Sequence, residues 1–300
     1  MSDPAHPTKA QHMSDPAHLT YVYAVVPDTG RARTAVEDLR GVSGAAVTLL
    51  GEDAPPEGED ATPPVAFVIS RVSSDEFDER TLKTRFEDLE WLEDIARAHH
   101  EVVQAIARQD TVLPLRLATL YQDDERAHEA LTAQRHVFEE RIGLLRDRSE
   151  WGVKLYIGEA GTPQHSAADG PGSTGTLSPG KAYLQRRRAQ HSTREDHYRH
   201  AQEAAQRIDA VASRFRTHRV RHPAQRGELA GPEENVLNDA YLVPDDMTES
   251  FRAALDAVAA DLDGVRVEVT GPWAPYSFAM PPPSPSEAPR TGVAPNGPAP

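Results

Sequence analysis

The segment Gly175-Thr-Leu-Ser-Pro-Gly180-Lys181 has the G-x4-G-K spacing of a phosphate-binding loop. That chemistry needs backbone N–H groups around the phosphates, a lysine, and then a hydroxyl residue to hold magnesium. Here Ala182 stands where the hydroxyl belongs, Pro179 removes one N–H, and no strand leads directly into the loop. The segment therefore reads as a linker entering a helix. His191, His197 and His200 lie close to Glu195 and Asp196, and a spacing of three puts His197 and His200 on one helical face. The H-E-x-x-H arrangement is missing and arginines surround the group, so it reads as a polar helix face. His99 and His100 are adjacent, and on a helix they diverge. There is no cysteine and no G-x-S-x-G nucleophile motif. No catalytic, cofactor-binding or metal-ligating residue is assigned.

Charge gives a clearer signal. The chain carries 32 Lys+Arg against 47 Asp+Glu, a net charge of -15, which argues against a general nucleic-acid or acidic-membrane binder. Against that background, Lys181–Arg221 is rich in arginine. Arg186, Arg187, Arg188, Arg194 and Arg199 are candidates for docking an acidic protein partner or nucleic acid; the competing reading is that this segment lies on acidic elements such as Glu87–Glu93. Arg116 stands among Leu113, Leu115 and Leu117 beside Pro114. Alternation places it opposite the leucines, where pairing with a carboxylate or capping a helix C-terminus would be a structural role.

These residues are positioned by elements that the apolar pattern defines. Leu19–Val26, Ala45–Leu50, Val65–Ser70, Thr111–Leu117, Trp151–Ile157, Val236–Val243 and Val265–Thr270 read as strands or extended segments. Helices are predicted over Thr34–Leu39, Leu82–Gln109, Asp123–Arg146, Pro179–Arg221 and Met247–Leu262. Gly271-Pro272 is expected to stop the last strand. Trp273, Tyr276 and Phe278 then form an aromatic plug, which in a chain only 6% aromatic requires a socket. The fold class is α+β in two domains, 19–122 and 123–279, with long helices in the second. Residues 158–180 are read as a flexible insertion and the acidic loop 52–64 as mobile. Residues 1–18, in which MSDPAH occurs at Met1 and again at Met13 as a duplicated start region or a misassigned start codon would leave it, and the Pro-rich 280–300 are expected as disordered tails. The N-terminus lacks a basic region followed by an apolar run, and no apolar stretch approaches the ~20 residues needed to span a bilayer.

Four segments in order carry a resemblance: Leu113-Pro114-Leu-Arg116; Glu150-Trp151-Gly152-Val-Lys-Leu-Tyr156; Asn238-Asp-Ala-Tyr241-Leu-Val243; and Thr270-Gly271-Pro272-Trp273-Ala-Pro275-Tyr276-Ser-Phe278. Together with the opening Tyr21-Val-Tyr23-Ala strand, they resemble the gas vesicle protein L/F family (GvpL/GvpF) over roughly Leu19–Ala279. The resemblance implies a ferredoxin-like C-terminal domain and a cytoplasmic, non-enzymatic accessory or minor structural protein of gas vesicles. It implies as partners the small hydrophobic shell protein and other gas vesicle accessory proteins, with no cofactor, nucleic acid or membrane. The signature residues are expected to mark the fold rather than an interface. The alternative is an enzyme with a small-molecule or nucleotide site in the cleft between the domains, which a convergent, buried set of titratable groups there would support.

Overall fold

Tyr21 to Val26 is apolar without alternation because the strand that contains it is covered on both faces. The computed structural model describes residues 18–51, 63–158, 179–225 and 233–279. In it, β1 (His18–Pro27) pairs antiparallel with β3 (Val65–Ser73) on one side and β4 (Leu113–Tyr121) on the other, with β2 (Thr48–Leu50) outside β3. Tyr21, Tyr23, Ala66 and Val68 pack with Trp91, Ile95, Val102 and Ile106 of α4 (Leu89–Ala107) and with α1 (Gly30–Val36). The alternate residues Val22, Val25, Phe67 and Ile69 face Leu131, Phe138 and Ile142 of α5 (Asp124–Leu145). A sheet buried on both sides reads as a continuous apolar run, as β1 and β3 do.

The second sheet repeats the strand order of the first. β5 (Arg148–Ile157) lies between β7 (Glu234–Pro244) and β8 (Val265–Trp273), and β6 (His218–Arg221) lies outside β7. In each sheet the first strand is flanked by the third and fourth, and the second is at an edge. Trp151, Val153, Leu155 and Tyr241 pack with Ala204, Ile208 and Ala212 of α6 (Pro179–Arg214) and with Phe251 and Leu255 of α7 (Thr248–Asp256). Ala240 and Leu242 join the cluster beneath α5, so one apolar core runs from the first sheet through α5 into the second.

Several sequence expectations change. The helix expected over Leu82–Gln109 is broken: α3 (Glu79–Arg85) follows the one-turn α2 (Ser74–Phe77) and ends at Phe86, and Asp88 then caps α4 by accepting from Glu90 and Trp91 N–H. A capping carboxylate supplies what the first-turn N–H groups lack, so it starts a new helix within an amphipathic pattern. The helix expected to reach Arg221 ends at Arg214; Arg216 takes a positive φ of 54°, and the chain returns as β6. The helix expected to reach Leu262 ends at Asp256. Gly271-Pro272 does not stop the last strand. Gly152 pairs with Thr270 and Glu150 with Trp273, so the two residues between them form a bulge on an edge strand, where a missing N–H is tolerated.

The expected tails and the expected mobile segments lie, apart from their edges, outside the described residues.

Candidate functional site

The segment that leaves β8 crosses back to the first sheet. The Gly271–Pro272 peptide is cis. A Cβ on Gly271 would stand 2.9 Å from the Glu150 carbonyl and 3.1 Å from the Trp151 ring, and Gly271 has φ +137°. Glycine is required there both by the space and by the backbone. Beyond it, Gln104 of α4 acts as a surrogate strand: its Oε1 accepts from Ala274 N–H at 3.1 Å, and its Nε2 donates to the Pro272 carbonyl at 3.3 Å. Ala274 enters the core under α4, and Phe278, in the one-turn α8 (Tyr276–Ala279), enters the core beneath α5. Ser277 donates its N–H (2.8 Å) and hydroxyl (2.6 Å) to the Glu150 carboxylate, and His222 Nε2 lies 3.0 Å from the same hydroxyl. Burial pushes the Glu150 carboxyl above its ordinary range, opposed by the Ser277 hydrogen bonds and by His222.

The structure thus gathers much of the family signature into one latch. Trp151 lies against Gly271, and Gly152 is held to Thr270 so closely that a Cβ would stand 2.8 Å from its Oγ1. Leu113 shares a core with Phe278, and Pro114 pairs with Ala24. The aromatic plug is only partly inserted: Phe278 is 6% exposed, whereas Trp273 is 45% and Tyr276 38% exposed, flanking His100 with ring centroids 6.3 and 6.0 Å away. The remaining signature residues lie elsewhere. Tyr156 is buried under the Arg266 guanidinium, 4.3 Å from its ring. Asn238 ties the β6–β7 hairpin through Pro223 O and His222 N. Tyr241 is buried beside Asp239, and burial, reinforced by that carboxylate, pushes its phenol up to about 12. Arg116 is exposed on a bulge of β4, where Thr119 pairs with Val22 and Pro114 with Ala24; among the described residues it has no carboxylate partner.

The arginine-rich segment divides into two parts. Arg207 bonds Glu203 and Asp261, and Arg219 and Arg221 flank the buried Asp239 from β6, so these charges are compensated within the fold. Toward the start of α6 the side chains of Arg187, Arg188, Arg194 and Arg199 are exposed; that of Arg186 lies outside the described set. Arg199 bonds Asp196, and Arg194 reaches Glu234 at 3.5 Å. His200 Nδ1 is 2.7 Å from Asp263 O, and a Cβ on Gly264 would meet the His197 ring at 2.1 Å, so both histidines hold the turn before β8. Residues 175–178 of the phosphate-loop spacing lie outside the described residues, and Pro179–Lys181 open α6. Among the described residues no group of three or more His, Asp or Glu could hold a metal, and no helix is long and apolar enough to cross a membrane.

A cleft of about 450 Å³ lies between the halves, lined by Arg31, Arg108, Asp110, Arg148 and Asp245 among others. Its titratable groups are exposed or half-buried. Asp110 accepts from Thr29 and from Thr111 N–H, and Asp245 accepts from Ser149, so these carboxylates tie loops together. The latch residues that sequence reasoning passed over are Gln104 and His222, and His100 was weighed only as a neighbour of His99. Ser277 and Glu150 stood inside quoted segments without being singled out, although a lone carboxylate opening an apolar strand was a usable signal.

These features define a two-sheet α+β protein whose most fully built constellation joins its halves rather than activating a substrate. The family described as "Gas vesicle synthesis protein GvpL/GvpF" matches residues 19–280, and the chain belongs to that family. It is 37% identical over 263 residues to gas vesicle protein L of Streptomyces sp. (strain CB03234), covering 87% of this chain and 92% of that protein. Gas vesicle protein F of the same strain is 26% identical over 187 residues, 60% of this chain and 75% of the relative. The fold is similar to the crystal structure of GvpF from Anabaena sp. PCC7120, with a TM-score of 0.59 at 16% identity over 88% of this chain and 97% of that one. GvpF from Microcystis aeruginosa gives 0.54 at 17% identity, over 88% and 99%.

Proposed function

We propose that this chain is a non-catalytic, cytoplasmic accessory or minor structural protein of gas vesicles that binds the small hydrophobic shell protein and, with other gas vesicle proteins, supports vesicle assembly. The observation that carries this reading is the similarity to gas vesicle protein L along almost the full length of both chains. We divide the chain after Gln122 and read the second unit as ferredoxin-like, because after α5 its elements run β5-α6-β6-β7-α7-β8 with strand order β6-β7-β5-β8.

A shell subunit that is very apolar on its gas-facing side aggregates unless its surface is shielded before it reaches the wall. Among the described residues β8 is hydrogen-bonded to a strand on one side only, and it alternates Val265, Val267 and Val269 with Arg266, Glu268 and Thr270. Such an edge can take an added strand, with main-chain hydrogen bonds supplying affinity and alternate side chains supplying selectivity. The test is co-purification of the full chain with the small shell protein encoded beside it, at low and high salt. Retention supports the role; no association at any salt, with the other proteins of the cluster also absent from the eluate, removes it.

A further inference from the structure

α6 is longer than the sheet it packs on. Its 36 residues extend about 54 Å at ~1.5 Å per residue. The 10 residues of β5 extend about 33 Å at ~3.3 Å per residue. Among the described side chains of the helix the buried ones, Ala201, Ala204, Ile208 and Ala212, lie in its second part. Every described side chain from Lys181 to Ser192 is exposed, including Tyr183 at 57% and Leu184 at 53%. Steps of four, seven, four and three residues place Tyr183, Arg187, Arg194, Tyr198 and Ala201 on one face, so the face that packs on the second sheet continues outward as tyrosine and arginine.

That continuation opens onto a groove of about 450 Å³ between α6 and the sheet, with Leu155, Ile157, Val236 and Leu237 on the strand side and Tyr198 and Ala201 on the helix side. Tyr198 belongs to both parts. It lines the groove, lies under the Arg194 guanidinium at 5.7 Å from its ring, and donates to Glu234 at 2.6 Å. Glu234 shows how a carboxylate meets this pair. Arg187 bonds only the Tyr183 hydroxyl, at 3.5 Å, and has no carboxylate partner among the described residues. A slot with Leu155, Ile157, Val236 and Leu237 on its strand side, leading onto exposed arginines of which Arg187 has no carboxylate partner among the described residues, is complementary to a segment with aliphatic residues beside acidic ones. Nucleic acid fits less well: Glu195, Asp196 and Glu234 stand among these arginines, and Asp239 lines the slot beside Arg221.

We propose that the groove between α6 and the second sheet, with the arginine face of the helix overhang, docks an acidic-aliphatic segment of a partner protein. The proposal rests on the reading of the chain as an assembly protein and adds where a partner sits and what it presents. The probe is a fluorescein-labelled synthetic helix of about 16 residues, with leucine on one face and glutamate beside it, together with its Glu→Gln counterpart. Both are titrated by anisotropy into the purified full chain.

Saturable binding of the glutamate probe is expected, weakening about tenfold for the glutamine probe, for the R187A/R194A double variant, and for V236E, which puts a like charge on the exposed lip of the slot. All three substituted positions are exposed, and unchanged thermal melts check that the variants fold. Equal binding of the two probes, full binding by R187A/R194A, or no saturable binding overturns the proposal. So does displacement of the probe by duplex DNA of equal charge at lower concentration. A chain that dimerises until R187A/R194A makes it monomeric overturns it as well, because a second copy then fills the groove. Only chain and probe are present, so failure here leaves shell-protein co-purification, and the assembly reading, standing.

Discussion

Glu150 at the start of β5 holds Ser277 by two hydrogen bonds, 2.8 Å to its backbone N–H and 2.6 Å to its hydroxyl, across 127 positions of chain. The carboxylate belongs to the second sheet, and the serine belongs to the segment whose neighbours Ala274 and Phe278 are buried in the cores of the first. Removing the acceptor strands a partly buried N–H, so Glu150→Ala is expected to cost about 2–3 kcal/mol in a denaturant titration. The pH response separates Glu150→Gln from the wild type. Burial raises the folded-state pKa above the ordinary 4.5, so the folded chain holds this proton more tightly than the unfolded one. The stabilisation from that proton is complete below the unfolded value and is lost as pH rises through the folded value. Wild type should therefore lose stability relative to Glu150→Gln as pH rises from about 4.5, with His222 limiting the loss. A difference that is flat with pH would refute the burial argument.

Two glycines in the latch should differ in their cost. A Cβ at Gly271 meets the Glu150 carbonyl and the Trp151 ring, and its φ of +137° is disfavoured for any side chain. A Cβ at Gly152 meets the Thr270 hydroxyl, which can rotate away. Gly271→Ala is expected to cost about 2–3 kcal/mol and Gly152→Ala about 1 kcal/mol. Thermal melts of the two variants give the order, and an inverted order would mean that the latch is looser than its contacts indicate.

The parts of this fold that could be read from sequence are those in which one short-range pattern decides the outcome. The apolar run Tyr21–Val26 and the alternation Val265, Val267, Val269 fixed their strands because burial on two faces or one leaves a distinct period. β6 was hidden because His218-Arg-Val-Arg221 is polar and borders a polar helix; its strand state comes from pairing with β7 and from Arg219 and Arg221 reaching Asp239. The break at Phe86–Asp88 was hidden because the stripe of apolar residues continues across it. The latch was half legible: clustering of Trp273, Tyr276 and Phe278 pointed to a socket, but Gln104, which fixes the crossing segment, carries no local signal. Only tertiary contact puts it there.

His99 gives the first sheet an acid limit. It is buried 19 positions before Ala118 N–H, and the two are joined through Tyr21, whose hydroxyl accepts from Ala118 at 3.1 Å and lies 3.0 Å from His99 Nδ1. Burial lowers the imidazole from 6.5 to about 4, against the Leu115 carbonyl and with help from His100. Here the unfolded chain binds the proton more readily, so the stability from a neutral His99 is present above 6.5 and is lost as pH falls toward 4. The loss should approach about 3 kcal/mol over that window. His99→Gln, which keeps a partner for Tyr21, should remove this slope from stability measured between those limits; an unchanged slope would assign the acid sensitivity to other groups.

Asp239 tests whether charge at the β6–β7 hairpin is structural. Its side chain is fully buried, with Arg219 at 3.7 Å, Arg221 at 3.4 Å, and the Tyr241 hydroxyl donating at 3.4 Å. The guanidinium groups are partly solvated, so each alone contributes little, and the carboxylate is the member that requires partners. Asp239→Ala is expected to cost about 1–3 kcal/mol, because the buried Tyr241 hydroxyl loses its acceptor while Arg219 keeps Asp209 and Arg221 is largely solvated. Arg221→Ala alone should cost about 1 kcal/mol or less, since its side chain is 67% exposed. Combining Arg219→Ala with Asp239→Ala should cost less than the sum of the two, because the second removal takes away a charge that has already lost this partner. Additive costs would mean that Asp239 acts through packing and the Tyr241 hydroxyl rather than through the arginines of β6.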